Sequence, residues 1–232
     1  LWQTTNFYQY LINTLIVAVF FLKSTLSTAT ELFSRDVVAF AGFIRRSVEL
    51  MYFAAVPIAV VGALVAEPLT ALFGSQAFVE RGAPTLTLLL TAVALRFVTT
   101  TLGEGLFASH HQRFWFGLSA ATLAINVVLN LALDGRFGAV GAGVALVCTE
   151  AFNMTVASWW LRRQCGYRTP VMFLLRVLIP TGASVAVTEL LSGQHVVLVL
   201  AAAAIVYLAT SAAVDPLTWS TMSSLRRMQA AP

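Results

Sequence analysis

Five ionisable side chains lie inside long apolar stretches of the sequence, where solubility does not explain them. They are Lys23, Glu31, Arg96, Glu104 and Glu150. An ionised group at the centre of a bilayer costs at least about 2.5 to 3.5 kcal/mol on insertion scales, so such groups face a partner or a water-filled cavity. Each of the five is therefore a candidate functional residue.

Polar residues recur with helical spacing around several of these charges. Arg96, Thr99, Thr100, Gly103 and Glu104 follow one another at steps of three and four, which places them on one helix face. A second stripe runs from Ser119 through Thr122, Asn126 and Asn130 to Asp134, and a third from Lys23 to Glu31. Three such helices predict a shared hydrophilic cavity. Its predicted residues are Arg96, Lys23, Glu104, Glu31, Thr99, Thr100, Asn126 and Asn130.

Helix packing is the alternative role for part of this set. Hydroxyl and amide side chains often join membrane helices through hydrogen bonds, and we favour that role for Asn126, Asn130 and Glu150. For Arg96 and Lys23 we favour the cavity, because an unpaired cation is hard to explain as packing. The carboxylates Glu104 and Glu31 remain either cavity groups or counter-ions of those two cations.

The elements that carry these residues are predicted to be membrane-spanning helices. Of the 232 residues, 59% are apolar and 10% charged, whereas soluble domains carry roughly 25% charged residues. About 20 apolar residues cross a bilayer, and lipid cannot satisfy a bare backbone, so helices are required. The predicted fold class is an all-α integral membrane protein, a polytopic bundle of about seven transmembrane helices. The predicted spans are Tyr8–Phe33, Val48–Phe73, Pro84–Ser109, Phe114–Leu133, Gly138–Leu161, Val171–Leu191 and Val196–Val214.

Arginines are distributed unevenly between the two sides of these spans. Cytoplasmic loops carry an excess of Lys and Arg, which predicts a cytoplasmic C-terminus. Residues 37–49, which contain Arg45 and Arg46, are predicted to lie along the inner interface before the second span rises. The basic residues are too dispersed to indicate a nucleic-acid partner. The inner side carries Arg35, Arg45, Arg46, Arg113, Arg162, Arg163, Arg168, Arg226 and Arg227, and the outer side Arg81 and Arg136.

No catalytic or metal-binding pattern stands out. His110 and His111 are adjacent and point about 100° apart on a helix, while His195 falls on the other side of the membrane. The spacing of Cys148 and Cys165 fits neither a disulfide framework nor a metal site. We therefore expect no enzymatic activity, no metal and no cofactor.

Three glycines follow the fourth predicted span, in the order Gly-x-x-Gly-x-Gly. A dinucleotide loop needs Gly-x-Gly-x-x-Gly after a strand, whereas here an apolar helix comes first. We predict that Gly138, Gly141 and Gly143 give the fifth span a smooth packing face. The preceding "DGRF", residues 134–137, is predicted to be a hairpin turn.

Two stretches together resemble bacterial polysaccharide flippases. "RRSVELMYFAAVPIAVVGALVAEPLTALFGSQAF" resembles a basic elbow that leads into a helix with an early proline and ends in Leu-Phe-Gly. "APTLTLLLTAVALRFVTTTLGEGLFASHHQRFWFGLSAATLAINVVLNLALDGRFGAVGAGVALVCTE" resembles the next three helices, with their Asn-Leu-x-Leu turn and Gly-Ala-x-Gly-Ala helix start. The resemblance covers roughly residues 11–163. The family is the oligosaccharide-lipid flippase branch of a superfamily that also contains multidrug and toxin exporters and peptidoglycan-precursor flippases.

The resemblance implies two helical lobes around a cavity that opens alternately to each side of the membrane. Residues 1–163 would form a partial C-terminal lobe of five spans, residues 164–214 two additional transmembrane helices and residues 215–232 a cytoplasmic tail. The missing N-terminal lobe, or a polysaccharide-assembly protein, would be a partner alongside membrane lipids. The implied function is flipping an undecaprenyl-pyrophosphate glycan across the bacterial plasma membrane, with Lys23 and Arg96 meeting the pyrophosphate.

Three alternatives remain open. A cation-coupled drug or toxin exporter of the same superfamily would use Glu31 and Glu104 as coupling sites. A membrane-embedded glycosyltransferase or acyltransferase would use His110 or His111 as its base. The sequence could also be a degenerate or wrongly started reading frame with no activity of its own.

Overall fold

The regular structure of the chain is helical throughout the part that the computed structural model describes, residues 26, 28–72 and 76–214. Residues 28–35 are helical, and seven helices follow. They are α1 (Val37–Leu64), α2 (Ala66–Ala71), α3 (Gln76–Ala108), α4 (Gln112–Phe137), α5 (Ala139–Cys165), α6 (Val171–Leu190) and α7 (Val196–Val214).

Six of the described helices are long and apolar enough to cross a membrane: α1, α3 from Gly82 onward, α4, α5, α6 and α7. They correspond in order to the last six predicted spans. The predicted all-helical class with several helices of membrane-spanning length is therefore confirmed. The first predicted span, Tyr8–Phe33, lies mostly outside the described residues, so the predicted total of seven stays a prediction.

Helix α1 begins earlier than the second predicted span. The Asp36 carboxylate accepts hydrogen bonds from the backbone N–H groups of Val38 (2.8 Å) and Ala39 (3.1 Å). Such an N-cap satisfies donors that have no partner within the helix. Residues 37–49 are thus the first half of α1, so the second predicted span starts earlier than expected, and the location of its first turns at the inner interface stays a prediction.

The long helices contact one another in the spatial order α7, α6, α1, α3, α5, α4. The densest packing lies where α1, α3 and α5 meet. Helix α4 ends the row and packs mainly on α5, so that Leu118 is its one buried residue. The largest apolar side chains sealed at the α1, α3 and α5 junction are Phe40, Phe43, Leu102, Leu106 and Leu161.

The last two helices pack against α1. The Tyr207 hydroxyl on α7 donates to the carbonyl oxygen of Phe53 on α1 at 2.6 Å. The Ser184 hydroxyl on α6 donates to the carbonyl oxygen of Ala203 at 3.0 Å, which joins α6 to α7. Their assignment as an addition to a five-span lobe stays a prediction.

Along the helix axes the bundle has two ends. The one at which α3 and α5 finish and α4 and α6 begin is here called the arginine-rich end. The Arg163 guanidinium carbon lies 4.4 Å from the centroid of the Trp159 ring, a pairing of cation and aromatic ring that suits a membrane interface. The cytoplasmic location of this end stays a prediction. Its arginines within the described residues are Arg35, Arg45, Arg46, Arg113, Arg162, Arg163 and Arg168.

Helices α4 and α5 are joined by one residue, Gly138, with φ 54° and ψ −134°. Its N–H donates to the carbonyl oxygen of Asp134 at 2.8 Å. Residues 134–137 are helical, so the predicted turn at "DGRF" is wrong. The reversal falls on Gly138 because that backbone conformation is open only to glycine.

Substitution by asparagine should destabilise the protein at one of the two glycines that follow α4 and α5 and have little effect at the other. Gly166 has φ 70° and ψ 16°, in the left-handed region that asparagine tolerates, whereas Gly138 lies outside it. We expect Gly138→Asn to lower the free energy of unfolding by about 1 to 3 kcal/mol and Gly166→Asn by less than about 1 kcal/mol. Thermal unfolding of the purified variants in detergent measures both, and equal losses would contradict this assignment.

Candidate functional site

A polar cavity of about 480 Å³ lies between α3, α4 and α5. The cavity lies there because α3 and α4 both pack on α5 but make little contact with each other. The lining residues are Arg96, Thr99, Thr100, Gly103, Glu104, Phe107, Trp115, Ser119, Thr122, Leu123, Asn126, Leu146, Thr149, Glu150 and Asn153.

The α3 wall of the cavity is the polar stripe that the sequence predicts. It extends from Arg96 to Phe107 at alternating steps of three and one residues, about 16 Å along the helix axis. Helix α4 is antiparallel to α3 and contributes a matching stripe from Trp115 to Asn126. Phe107 and Trp115 therefore mark the end of the cavity nearer the arginine-rich end, and Arg96 and Asn126 mark the other.

The structure brings five of the eight predicted cavity residues together: Arg96, Thr99, Thr100, Glu104 and Asn126 line the same cavity. Asn130 lies one turn beyond and donates to the backbone carbonyl oxygen of Asn126 at 2.8 Å and to its side-chain oxygen at 3.0 Å.

Two further predicted cavity residues fall elsewhere or cannot be placed. The Glu31 carboxylate is exposed and lies 2.8 Å from the Arg35 guanidinium. Glu31 does not line the cavity, and its predicted pairing with Lys23 stays a prediction. Lys23 lies outside the described residues.

The counter-ion of Arg96 is Glu150 on α5. Arg96 Nη1 donates to Glu150 Oε1 at 2.6 Å. The Glu150 side chain is 4% exposed and that of Arg96 is 66% exposed. A guanidinium carries five N–H donors, so Arg96, which lines the cavity, can also donate to a ligand there. The sequence interpretation offered Glu104 and Glu31 as counter-ions and assigned Glu150 to helix packing. The structure shows instead that Glu150 pairs with Arg96.

Several polar groups of the cavity wall are buried or already hydrogen-bonded within their own helix. Within the described part of the chain, neither Glu150 Oε2 nor Asn153 Oδ1 accepts a hydrogen bond, although both atoms are buried. The hydroxyls of Thr99, Thr100 and Thr122 each donate to the carbonyl four residues earlier, at 2.8 to 3.0 Å. A hydroxyl whose proton is committed in this way offers only lone pairs to a ligand. These three hydroxyls thus suit a group that donates hydrogen bonds, whereas the Arg96 guanidinium in the same lining suits an acceptor.

An indole ring occupies the end of the cavity nearer the arginine-rich end. A Cβ atom built on Gly103 would lie 2.6 Å from Trp115 Cζ2 and 2.8 Å from Cη2. The absence of a side chain at Gly103 therefore leaves the space that the indole fills. Trp115 is partly exposed, and Phe107 lies beside it in the lining.

Sequence reasoning missed the contribution of α5 and the aromatic end. Thr149, Glu150 and Asn153 are polar residues at helical spacing within an apolar span, so their shared face could have been detected. The clearest structural link is a hydrogen bond from Asn126 Nδ2 on α4 to the Thr149 hydroxyl at 3.3 Å. Trp115 has no comparable signal, because an aromatic residue near a helix end is also typical of a membrane interface.

The three histidines do not converge. The rings of His111 and Trp160 lie edge to face with centroids 6.0 Å apart, and those of His110 and Phe33 do likewise at 6.0 Å. His195 precedes α7 at the end of the bundle opposite the arginine-rich end. Within the described residues, no three His, Cys, Asp or Glu side chains are grouped to hold a metal ion.

The glycines predicted to pack α5 have different roles. A Cβ on Gly141 would lie 2.8 Å from the backbone oxygen of Leu133 on α4, and one on Gly143 would lie 2.9 Å from Leu88 Cβ on α3. Both glycines therefore lie at close helix contacts beside the cavity. Nothing lies within 4 Å of a Cβ on Gly138, so Gly138 serves the turn rather than packing.

In comparisons with known proteins, no family model matches the chain and no curated protein matches it.

Proposed function

We propose that this chain is part of a membrane transporter that flips a lipid-linked oligosaccharide from the inner to the outer leaflet of the bacterial plasma membrane. One observation carries the proposal: a polar cavity of about 480 Å³ lies among helices that are long and apolar enough to cross a membrane. A cavity of this size is in the range that binds small ligands. The sequence resemblance to polysaccharide flippases gives the substrate class.

The hydroxyl and amide side chains of the lining suit the glycan part of such a substrate. They come from all three helices: Thr99, Thr100, Ser119, Thr122, Asn126, Thr149 and Asn153. A sugar in the cavity would exchange hydrogen bonds with water for hydrogen bonds with these groups, at a small net change in free energy. Small net binding suits a carrier, because the substrate must also leave.

Arg96 is the cavity cation that would meet a phosphate of the substrate. Its guanidinium is held by Glu150 and is 66% exposed, so it can make a further charge-assisted hydrogen bond. The lining holds one described cation and two carboxylates, Glu104 and Glu150. A diphosphate would therefore depend on contact with Arg96 rather than on an excess of positive charge.

The same charge balance supports a second candidate, a cation-coupled drug or toxin exporter. Two carboxylates in one membrane cavity are suited to carry a proton or a metal cation across the bilayer. Glu104 and Glu150 would be the coupling residues, whereas Glu31, proposed for that role from the sequence, lies in an exposed ion pair.

Export of surface polysaccharide tests the leading proposal. We expect the double variant Arg96→Gln/Glu150→Gln to reduce export by about tenfold or more, the effect of losing one charge-assisted hydrogen bond in the transported state. Changing both residues avoids leaving a buried charge unpaired. Lectin staining of intact cells measures export, and the amount of protein in the membrane fraction measures insertion.

The control removes an equal pair of charges outside the cavity. Arg45 and Glu49 lie one turn apart on α1 with Nε and Oε1 3.2 Å apart, and Arg45→Gln/Glu49→Gln should leave export unchanged. Normal export in the cavity variant would contradict the flippase proposal. Proton- or sodium-dependent dye efflux that is lost in the cavity variant would favour the exporter instead.

A further inference from the structure

We propose that α1 has a hinge at Pro57 and that the Tyr207 hydroxyl on α7 holds this hinge closed as a latch. The hinge separates the long first part of α1 from its last turns, residues 58–64, which move together with the start of α7. This conformational change belongs to the helix bundle itself and does not depend on the proposed function.

A proline removes one hydrogen bond from the interior of α1. In an α-helix the carbonyl oxygen of Phe53 accepts from the backbone N–H of residue 57, but Pro57 has no N–H to donate. An unsatisfied carbonyl in a membrane-spanning helix is costly, because lipid offers no donor. Sharp bends in long helices are found at such positions, so Pro57 is the point at which α1 bends most easily.

The missing donor comes from α7. The Tyr207 hydroxyl donates to the Phe53 carbonyl oxygen at 2.6 Å, and the two aromatic rings lie with centroids 5.0 Å apart. Tyr207 is 6% exposed, so the hydrogen bond is shielded from solvent. A side chain of another helix thus replaces the backbone donor that proline lacks.

The hydrophobic contacts of α1 divide at the same proline. Residues of α1 up to Val56 pack in the main core, where α1, α3 and α5 meet. Val65, directly after α1, packs instead with Val196 and Val199 of α7 in a separate cluster at the end of the bundle opposite the arginine-rich end. Pro57 therefore lies between two clusters that do not share α1 residues.

An apolar cavity of about 470 Å³ gives the last turns of α1 room to move. It lies beside Pro57 among α1, α3, α6 and α7, and its polar side chains are Ser184 and Tyr207, whose hydroxyls both donate to backbone carbonyl oxygens. After Pro57, Val61 is the single buried residue of this fully described helix. Movement of the last turns therefore disrupts few buried contacts.

Helix α6 carries a proline in the same half of the bundle. Pro180 lies ten residues before Leu190, the last residue of α6, about 15 Å along the axis. Pro57 lies seven residues before Leu64, the last residue of α1, about 10 Å along the axis. Both helices end opposite the arginine-rich end, so their last turns can move together with the start of α7.

A double-variant cycle on the full 232-residue chain in lipid nanodiscs tests the latch. We expect Tyr207→Phe to lower the melting temperature by about 3 to 6 °C, because the Phe53 carbonyl loses its buried donor. In the Pro57→Ala background a backbone N–H supplies that donor, so Tyr207→Phe should lower the melting temperature by at most about half as much. Equal losses in the two backgrounds overturn the latch.

Ser184→Ala is the matched control. The Ser184 hydroxyl also donates to a backbone carbonyl of a neighbouring helix, that of Ala203, at 3.0 Å. That carbonyl keeps the backbone N–H of Tyr207 as its donor within α7. The loss should therefore be smaller than in Tyr207→Phe and the same with and without Pro57→Ala. A loss that also depends on Pro57→Ala would show that the proline affects the whole interface and would contradict a specific latch.

Spin-label distances test the hinge. One label is attached to Cys148, which is exposed on α5, and the other to Leu64→Cys at the exposed end of α1, while Cys165→Ala removes the remaining cysteine. The pair reports the position of the last turns of α1 relative to the main core. We expect Tyr207→Phe to widen the distribution of distances and Pro57→Ala/Tyr207→Phe to restore the parent width.

The two measurements decide separately on the hinge and on the latch. A distribution of unchanged width in Tyr207→Phe overturns the hinge, whatever the melting temperatures show. If Tyr207→Phe does not fold alone, recovery of the folded chain on adding Pro57→Ala supports the latch, and absence of recovery overturns it.

Discussion

Arg96→Ala is expected to lower the free energy of unfolding by about 2 to 3 kcal/mol, because it leaves the Glu150 carboxylate buried without its charged partner. Breaking a fully buried pair costs more, but Arg96 is 66% exposed and cavity water can reach the site. Glu150→Gln should cost less, since a glutamine oxygen can still accept from the Arg96 guanidinium.

The double variant Arg96→Ala/Glu150→Gln distinguishes a lost contact from an unpaired charge. If the unpaired carboxylate is the main penalty, the double variant is more stable than Arg96→Ala. Thermal unfolding in detergent at neutral pH measures all three. Arg35→Ala breaks an exposed ion pair and should change stability by less than about 1 kcal/mol. A double variant less stable than Arg96→Ala would contradict the assignment.

Gly141→Ala is expected to lower the free energy of unfolding by about 2 kcal/mol, the usual effect of one extra group in a closed contact. The added Cβ would lie 2.8 Å from the carbonyl oxygen and 2.9 Å from the carbonyl carbon of Leu133. Those atoms belong to the backbone of α4, which cannot rotate away as a side chain would. Helices α4 and α5 would have to separate near the turn that joins them.

Gly117→Ala is the matched control for that prediction. Gly117 also lies within a helix, but nothing is found within 4 Å of a Cβ placed there. Alanine is the better helix former by about 1 kcal/mol, so this variant should be as stable as the parent chain or more so. Comparison of the two melting temperatures checks the prediction, and equal effects at the two glycines would show that the α4 and α5 contact is not tight.

The polar stripes that periodicity indicates on α3 and α4 both line the cavity, because a polar stripe inside an apolar helix must face something other than lipid. It could not predict the partner of Arg96. Glu150 is 54 residues away in sequence, and spacing within one helix says nothing about which neighbouring helix packs beside it. The pattern offered Glu104 and Glu31 as counter-ions, and the packing of α5 between α3 and α4 brings Glu150 to Arg96 instead.

Helix boundaries were the weakest sequence predictions, for two local reasons. The Asp36 cap starts α1 before its apolar run becomes dense, so hydropathy alone placed the start at Val48. The turn after α4 was assigned to Asp134 and Gly135, which are common turn residues. Both are helical in the structure, since the one residue with the required positive φ is Gly138.

The single residue between α4 and α5 bears on how the chain is made. A connection of one residue keeps the two helices adjacent and antiparallel, so the pair would enter a bilayer as one hairpin. Within that hairpin, Asn126 already donates to Thr149 at 3.3 Å. If this hairpin enters a bilayer as a unit, the amide and the hydroxyl carry part of their hydrogen bonding with them, which lowers the cost of placing these cavity residues in lipid.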